Sequence, residues 1–90
     1  MPPDQRTLQP GSLPDRPFVF TRHARNRLRR TKLTHSELEE LARLPAREQR
    51  SGNRLNLWVS WNGWLRIVLV EETNAIVVVS VIWPAREPKD

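Results

Sequence analysis

Ninety residues, 38% of them hydrophobic, suffice for one small domain with a modest core. The absence of cysteine excludes disulfides, thiolate catalysis and cysteine-based zinc sites. A net charge of +5 and a pI of about 11.3 point to an anionic partner, with RNA, DNA and an acidic protein as candidates. Thirteen of the fifteen basic residues are arginine, so GC-rich coding is a competing source of the total charge, though not of its clustering.

Residues 1–17 hold five prolines with Gly11 and Ser12, which predicts a flexible Pro-rich N-terminal tail. That segment lacks the apolar run of a signal peptide, and the longest apolar runs, Ile67–Val70 and Ala75–Val79, are too short to span a bilayer. A soluble cytoplasmic protein is expected, with no membrane partner. Residues 18–84 form the single expected domain, and 85–90 a C-terminal tail.

Phe18-Val19-Phe20 reads as a short edge strand. Thr21 is an N-cap candidate for a helix over about Arg22 to Thr31, whose narrow apolar stripe is Ala24 and Leu28 at i, i+4. A second helix opens at Thr34, where Thr34-His35-Ser36-Glu37 fits a capping box, and Pro45 stops it. Leu38, Leu41, Ala42 and Leu44 are its expected core stripe, and Glu39 and Arg43 an i, i+4 pair on its wet side. His35 is assigned no role.

Arg47 to Arg54 reads as a polar basic loop. Leu55 to Trp61 then alternates with period two, and Asn62-Gly63 signals a two-residue hairpin turn before the return strand Trp64 to Val70. Ala75–Trp83 is the last strand, ended by Pro84, and its Ile76-Val77-Val78-Val79 run suits a strand covered on both faces. The expected fold is α+β, in the order β-α-α-β-β-β, with two helices packed on an antiparallel sheet.

A two-residue turn pairs Trp61 with Trp64, Val59 with Arg66 and Leu57 with Val68. Arg66 then shares a face with Val59, Trp61, Trp64 and Val68, while Trp58 joins Leu65, Ile67 and Leu69 beneath the helices. Arg66 has two readings: a cation lying along neighbouring tryptophans, or a rigidly held anion-binding group. Trp61 and Trp64 likewise serve either packing or base stacking.

The stretch TRHARNRLRR, residues 21–30, carries five arginines. At helical spacing His23, Arg27 and Arg30 share roughly a 60° arc. Arg22, Arg25 and Arg29 lie on another side, as a solvated face or a stripe for phosphates. A histidine beside guanidinium groups suits metal-independent phosphodiester cleavage: the imidazole takes a proton from a 2′-hydroxyl and the arginines stabilise phosphoryl charge. The alternative is a helix-start histidine bonded to backbone beside arginines that face water. No metal cluster or cofactor is expected.

His23-Ala24-x-x-Arg27-Leu28, followed by Leu33-Thr34 opening a Glu-rich helix and by the Val-rich last strand, resembles domain-of-unknown-function family 4258 over residues 18–84. That family is similar in element order to the RelE/ParE toxin superfamily of RNA-cleaving toxins and gyrase poisons. The resemblance implies a RelE-like fold, with His23 and Arg27 as site residues and Arg66 as a looser match. The chain departs from the pattern with Thr31 in place of a second arginine and Lys32 in place of glycine. It has no tyrosine, which rules out a mechanism that depends on one.

Two functions are therefore expected. One is a toxin-type endoribonuclease (mRNA interferase) of a toxin–antitoxin system, acting on RNA or ribosome-bound mRNA through His23, Arg27 and Arg66, with a small antitoxin as partner. The alternative is a non-catalytic basic module binding RNA, DNA or an acidic protein. Arg22, Arg25, Arg29, Arg30, Arg50 and Arg54 are the nucleic-acid-binding candidates in either case.

Overall fold

The computed structural model describes residues 13–88. It is an α+β fold: β1 (Phe18–Phe20), α1 (Arg22–Thr31), α2 (His35–Ala42), β2 (Arg47–Ser51), β3 (Arg54–Ser60), β4 (Trp64–Glu71) and β5 (Ile76–Ile82). The five strands form one sheet in the order β1-β5-β4-β3-β2. Among the described residues no helix is long and apolar enough to cross a membrane.

Local chemistry sets both helices. The Thr21 hydroxyl accepts from the Ala24 amide at 3.1 Å, capping α1. At α2 the Thr34 hydroxyl accepts from the Glu37 amide at 3.0 Å, and the Glu37 carboxylate accepts from the Thr34 amide at 2.9 Å. Glu39 and Arg43 pair at 3.5 Å as their spacing requires. Ala24 and Leu28 of α1 and Leu38 and Ala42 of α2 are buried against Leu55, Leu57, Leu65, Ile67, Ile76 and Val78. Both helices therefore cover one face of the sheet.

The loop between the helices begins at a residue with positive φ. Lys32 closes α1 in the left-handed conformation at φ 64, with its amide donating to the Arg29 carbonyl. Glycine adopts that conformation without strain, and a lysine there costs about 1 kcal/mol. Lys32→Gly is expected to raise unfolding free energy by roughly 0.5–1 kcal/mol, read as a higher urea midpoint at unchanged slope.

Five expectations are corrected. Four strands follow the helices rather than three, because Arg47–Ser51 pairs antiparallel with β3 and is not a loop. Its ladder closes on Gly52-Asn53, with Gly52 at φ 62 supplying the positive φ of a tight hairpin. The sheet is mixed, not antiparallel, since β1 runs parallel to β5. That follows from the two-helix crossover between β1 and the other strands.

The β3–β4 turn holds three residues, with Ser60 opposite Trp64 and Trp58 opposite Arg66. Both Asn62 (φ 46) and Gly63 (φ 96) take positive φ, but Trp61 belongs to the turn rather than to the ladder. A one-residue slip reverses a strand's faces. Leu57 and Val59 therefore enter the core, and Trp58 moves out to join Arg66 on the opposite face.

Strand β5 lies inside the sheet, but only one face is fully covered: Ile76, Val78 and Val81 are buried, while Val77 and Val79 are half-buried. Leu44 is not core. It lies beyond the end of α2 and is 64% exposed.

Residues 13–17 are held against the domain. Leu13 packs on the core, Arg43 donates to the carbonyls of Pro14 at 3.2 Å and Arg16 at 3.3 Å, and the Pro17 carbonyl accepts from the Ile76 amide. The remainder of the expected N-terminal tail, residues 1–12, lies outside the described residues, as do residues 89–90.

Candidate nucleic-acid interface

With both helices on one face, the other face of the sheet carries no helix, although Val68 is buried on it. Across it the registers align Arg47 of β2, Trp58 of β3, Arg66 of β4 and Ile82 of β5 in one lateral row. Arg66 is fixed from two sides. Its Nε and Nη2 donate to Asn56 Oδ1 at 3.0 and 2.6 Å, and its guanidinium carbon sits 5.2 Å from the centroid of the Trp58 ring. Both readings of Arg66 thus meet in one geometry. It lies on a tryptophan, and it is held in place by a strand neighbour.

The row forms the floor of a cavity of about 550 Å³. Gln49 lines it from β2, and residues 84–88 wall it on the other side. That wall is pinned where the Ala85 amide donates to the Trp64 carbonyl at 2.8 Å. Charged residues lining the cavity are Arg47, Arg66 and Arg86 against Glu87, so the site is cationic. A cation on a strand, beside an aromatic ring and facing a partly enclosed space, can take a phosphate and a stacked base together.

The other candidates fall elsewhere. His23, Arg27 and Arg30 are exposed on α1 and share a surface, as helical spacing requires. They lie on the helix-covered side, whereas Arg66 faces away from it, so His23 and Arg27 do not meet Arg66 at one site. Arg22, Arg25 and Arg29 are exposed on α1 as well, and Arg25 turns back to the Phe20 carbonyl at 3.5 Å. Arg54 opens β3 on the same face as Asn56 and Trp58, where it extends the basic surface.

Arg50 points to the helix side of β2 and meets Glu71 in a two-point pair, with both N–O distances 3.0 Å. This hydrogen bond raises the arginine pKa and holds the Glu71 carboxyl below its ordinary value. Because the folded value is the lower one, the pair's contribution is complete above the ordinary carboxylate value. It disappears as pH falls through the lowered one. Glu71→Gln is expected to cost under about 1 kcal/mol at pH 7, and its difference from the wild type should vanish as pH falls below the lowered Glu71 value, in paired urea titrations. With its charge matched in this way, Arg50 is a poorer phosphate ligand than Arg66.

Sequence reasoning missed Arg47, Gln49, Arg86 and the role of Trp58. The period-two spacing of Arg47 and Gln49 is the one signal that points to them, legible only once β2 is taken as a strand. His35 has a structural part: its ring stacks on Phe20 with centroids 4.2 Å apart. Among the described residues, no three histidine, aspartate or glutamate side chains gather as metal ligands. Compared with protein-family models, curated proteins and solved structures, the chain has no significant match in any of the three.

Proposed function

We propose that this chain is a RelE-like domain that binds single-stranded RNA across its open sheet face. The carrying observation is Arg66, fixed by Asn56 and lying on Trp58 at the floor of a cationic cavity. Its guanidinium binds a phosphate oxygen or stacks beneath an unpaired base, Arg47 and Arg86 neutralise adjoining phosphates, and Gln49 offers a donor and an acceptor to a base or a 2′-hydroxyl. Only an unpaired strand can offer a base face to such a cavity. The RelE-like part of the reading rests on the His23-Ala24-x-x-Arg27-Leu28 resemblance and on one strand preceding a helical hairpin, with four strands rather than three after it.

The geometry favours binding over cleavage. A toxin that cleaves through His23, Arg27 and Arg66 needs all three around one phosphate, and here the sheet separates them. The test is fluorescence anisotropy with a labelled oligouridylate, its DNA counterpart and an RNA duplex. The single-stranded RNA is expected to bind tightest, to lose affinity as salt rises, and to be recovered at full length. His23→Ala is expected to bind with unchanged affinity. Preferential duplex binding would contradict the proposal, and His23-dependent cleavage would restore the toxin mechanism.

A further inference from the structure

A second surface lies at the other side of the fold. Glu37, Glu40 and Leu41 follow one another at i, i+3 and i+4, so they share one face of α2, and Leu44 lies just beyond its end. With Leu33 and Trp61 they line a groove of about 320 Å³ between α2 and the β3–β4 turn. Three large apolar side chains are exposed among the described residues. Leu44 lines this groove, and Trp83 packs edge-on against Trp61 at 5.3 Å. The third, Val19, lies elsewhere on β1, so two of the three are at or beside the groove.

Two properties restrict the occupant. The groove's walls are a helix and a turn, with no open strand edge, so an incoming chain finds no backbone ladder to join. A helix satisfies its own amides without such a ladder and so suits the groove. Both charged residues lining the groove are acidic, in a chain of net charge +5. A basic helix is complementary, but α1 of a second copy does not serve, because its exposed positions are arginine, histidine and asparagine with no apolar anchor.

We infer that this groove docks a basic amphipathic helix of a partner protein. Its apolar residues meet Leu41, Leu44 and Trp61, and a lysine or arginine faces Glu37 and Glu40. This surface is separate from the open sheet face and does not depend on RNA binding.

The test uses a synthetic helical peptide of about 18 residues, long enough to hold helix, with leucines at i, i+3, i+4 and i+7 and flanking lysines. Calorimetric titration into the full chain is expected to give a Kd of roughly 1–100 μM. Leu44→Ser and Glu40→Lys should each weaken binding by about tenfold or more. Both residues are exposed, so the variants should fold, and Leu44→Ser should keep full affinity for single-stranded RNA. A peptide with glutamate in place of lysine should bind at least about tenfold more weakly.

No binding of the lysine peptide up to about 1 mM, or equal binding by the glutamate peptide or by both variants, overturns the inference. So would dimerisation without peptide that Leu44→Ser abolishes, which would give the groove to a second copy.

Discussion

Arg66→Met is expected to lower affinity for single-stranded RNA by roughly 10- to 100-fold while leaving the fold in place. A hydrogen bond to a charged group is worth about 1.5–3 kcal/mol, and this guanidinium is already oriented by Asn56 and Trp58, so little ordering entropy is given up when RNA arrives. Methionine keeps apolar bulk against the tryptophan but provides no charge. The plot of log affinity against log salt should flatten by about 0.7 for each phosphate of the single strand that is no longer neutralised. Arg66→Lys should fall between the two, because an ammonium keeps the charge without the planar fork that suits Asn56 and the ring. Anisotropy titrations at several salt concentrations measure both quantities, and circular dichroism verifies the fold. Wild-type affinity and slope in Arg66→Met would remove this residue from the interface.

The largest expected effect on stability is at Leu38. Its side chain is 0% exposed and, with Ala42, anchors α2 to the sheet. An eight-residue helix is too short to persist alone, so α2 exists through this packing as well as its capping box. Leu38→Ala removes buried methyl groups and leaves a cavity, at a cost of about 2–5 kcal/mol. Small domains have only about 5–15 kcal/mol in total, so this is a large share. The urea midpoint should fall by about 2–5 M, given a slope of roughly 1 kcal/mol per molar for a domain of this size. Leu44→Ala, at an exposed position six residues on, should shift it within about 0.5 kcal/mol. Equal losses at the two positions would contradict the assignment of faces on α2.

Whether a feature was legible in the sequence depended on how local its cause is. Thr21, the Thr34–Glu37 capping box and the Glu39–Arg43 pair act within one turn, and the structure places them as read. Strand β2 was not legible, because its residues Arg47 to Ser51 contain no apolar position, and its pairing depends on an edge left open by β3. The β3–β4 register turned on one residue. Asn62-Gly63 marks a turn correctly, but whether Trp61 belongs to the turn or the strand is decided by packing against the helices.

That single residue carried the site with it. Arg66 stood out as a cation in an apolar strand, yet its partners Asn56 and Trp58 could be identified only with the correct register. The arc of His23, Arg27 and Arg30 follows from helix geometry alone. Its separation from Arg66 follows from which sheet face the helices cover, a tertiary property. Leu44 matched the helical stripe in spacing but falls beyond Ala42, where α2 has already ended.

If the open sheet face receives RNA, amide and indole chemical-shift mapping during titration with a short oligouridylate will locate the contact on it. Progressive shifts are expected at Arg47, Gln49, the Trp58 indole and Arg66, with His23, Arg27 and Arg30 unmoved. Shifts confined to α1, with the row from Arg47 to Ile82 silent, would contradict RNA binding on that face.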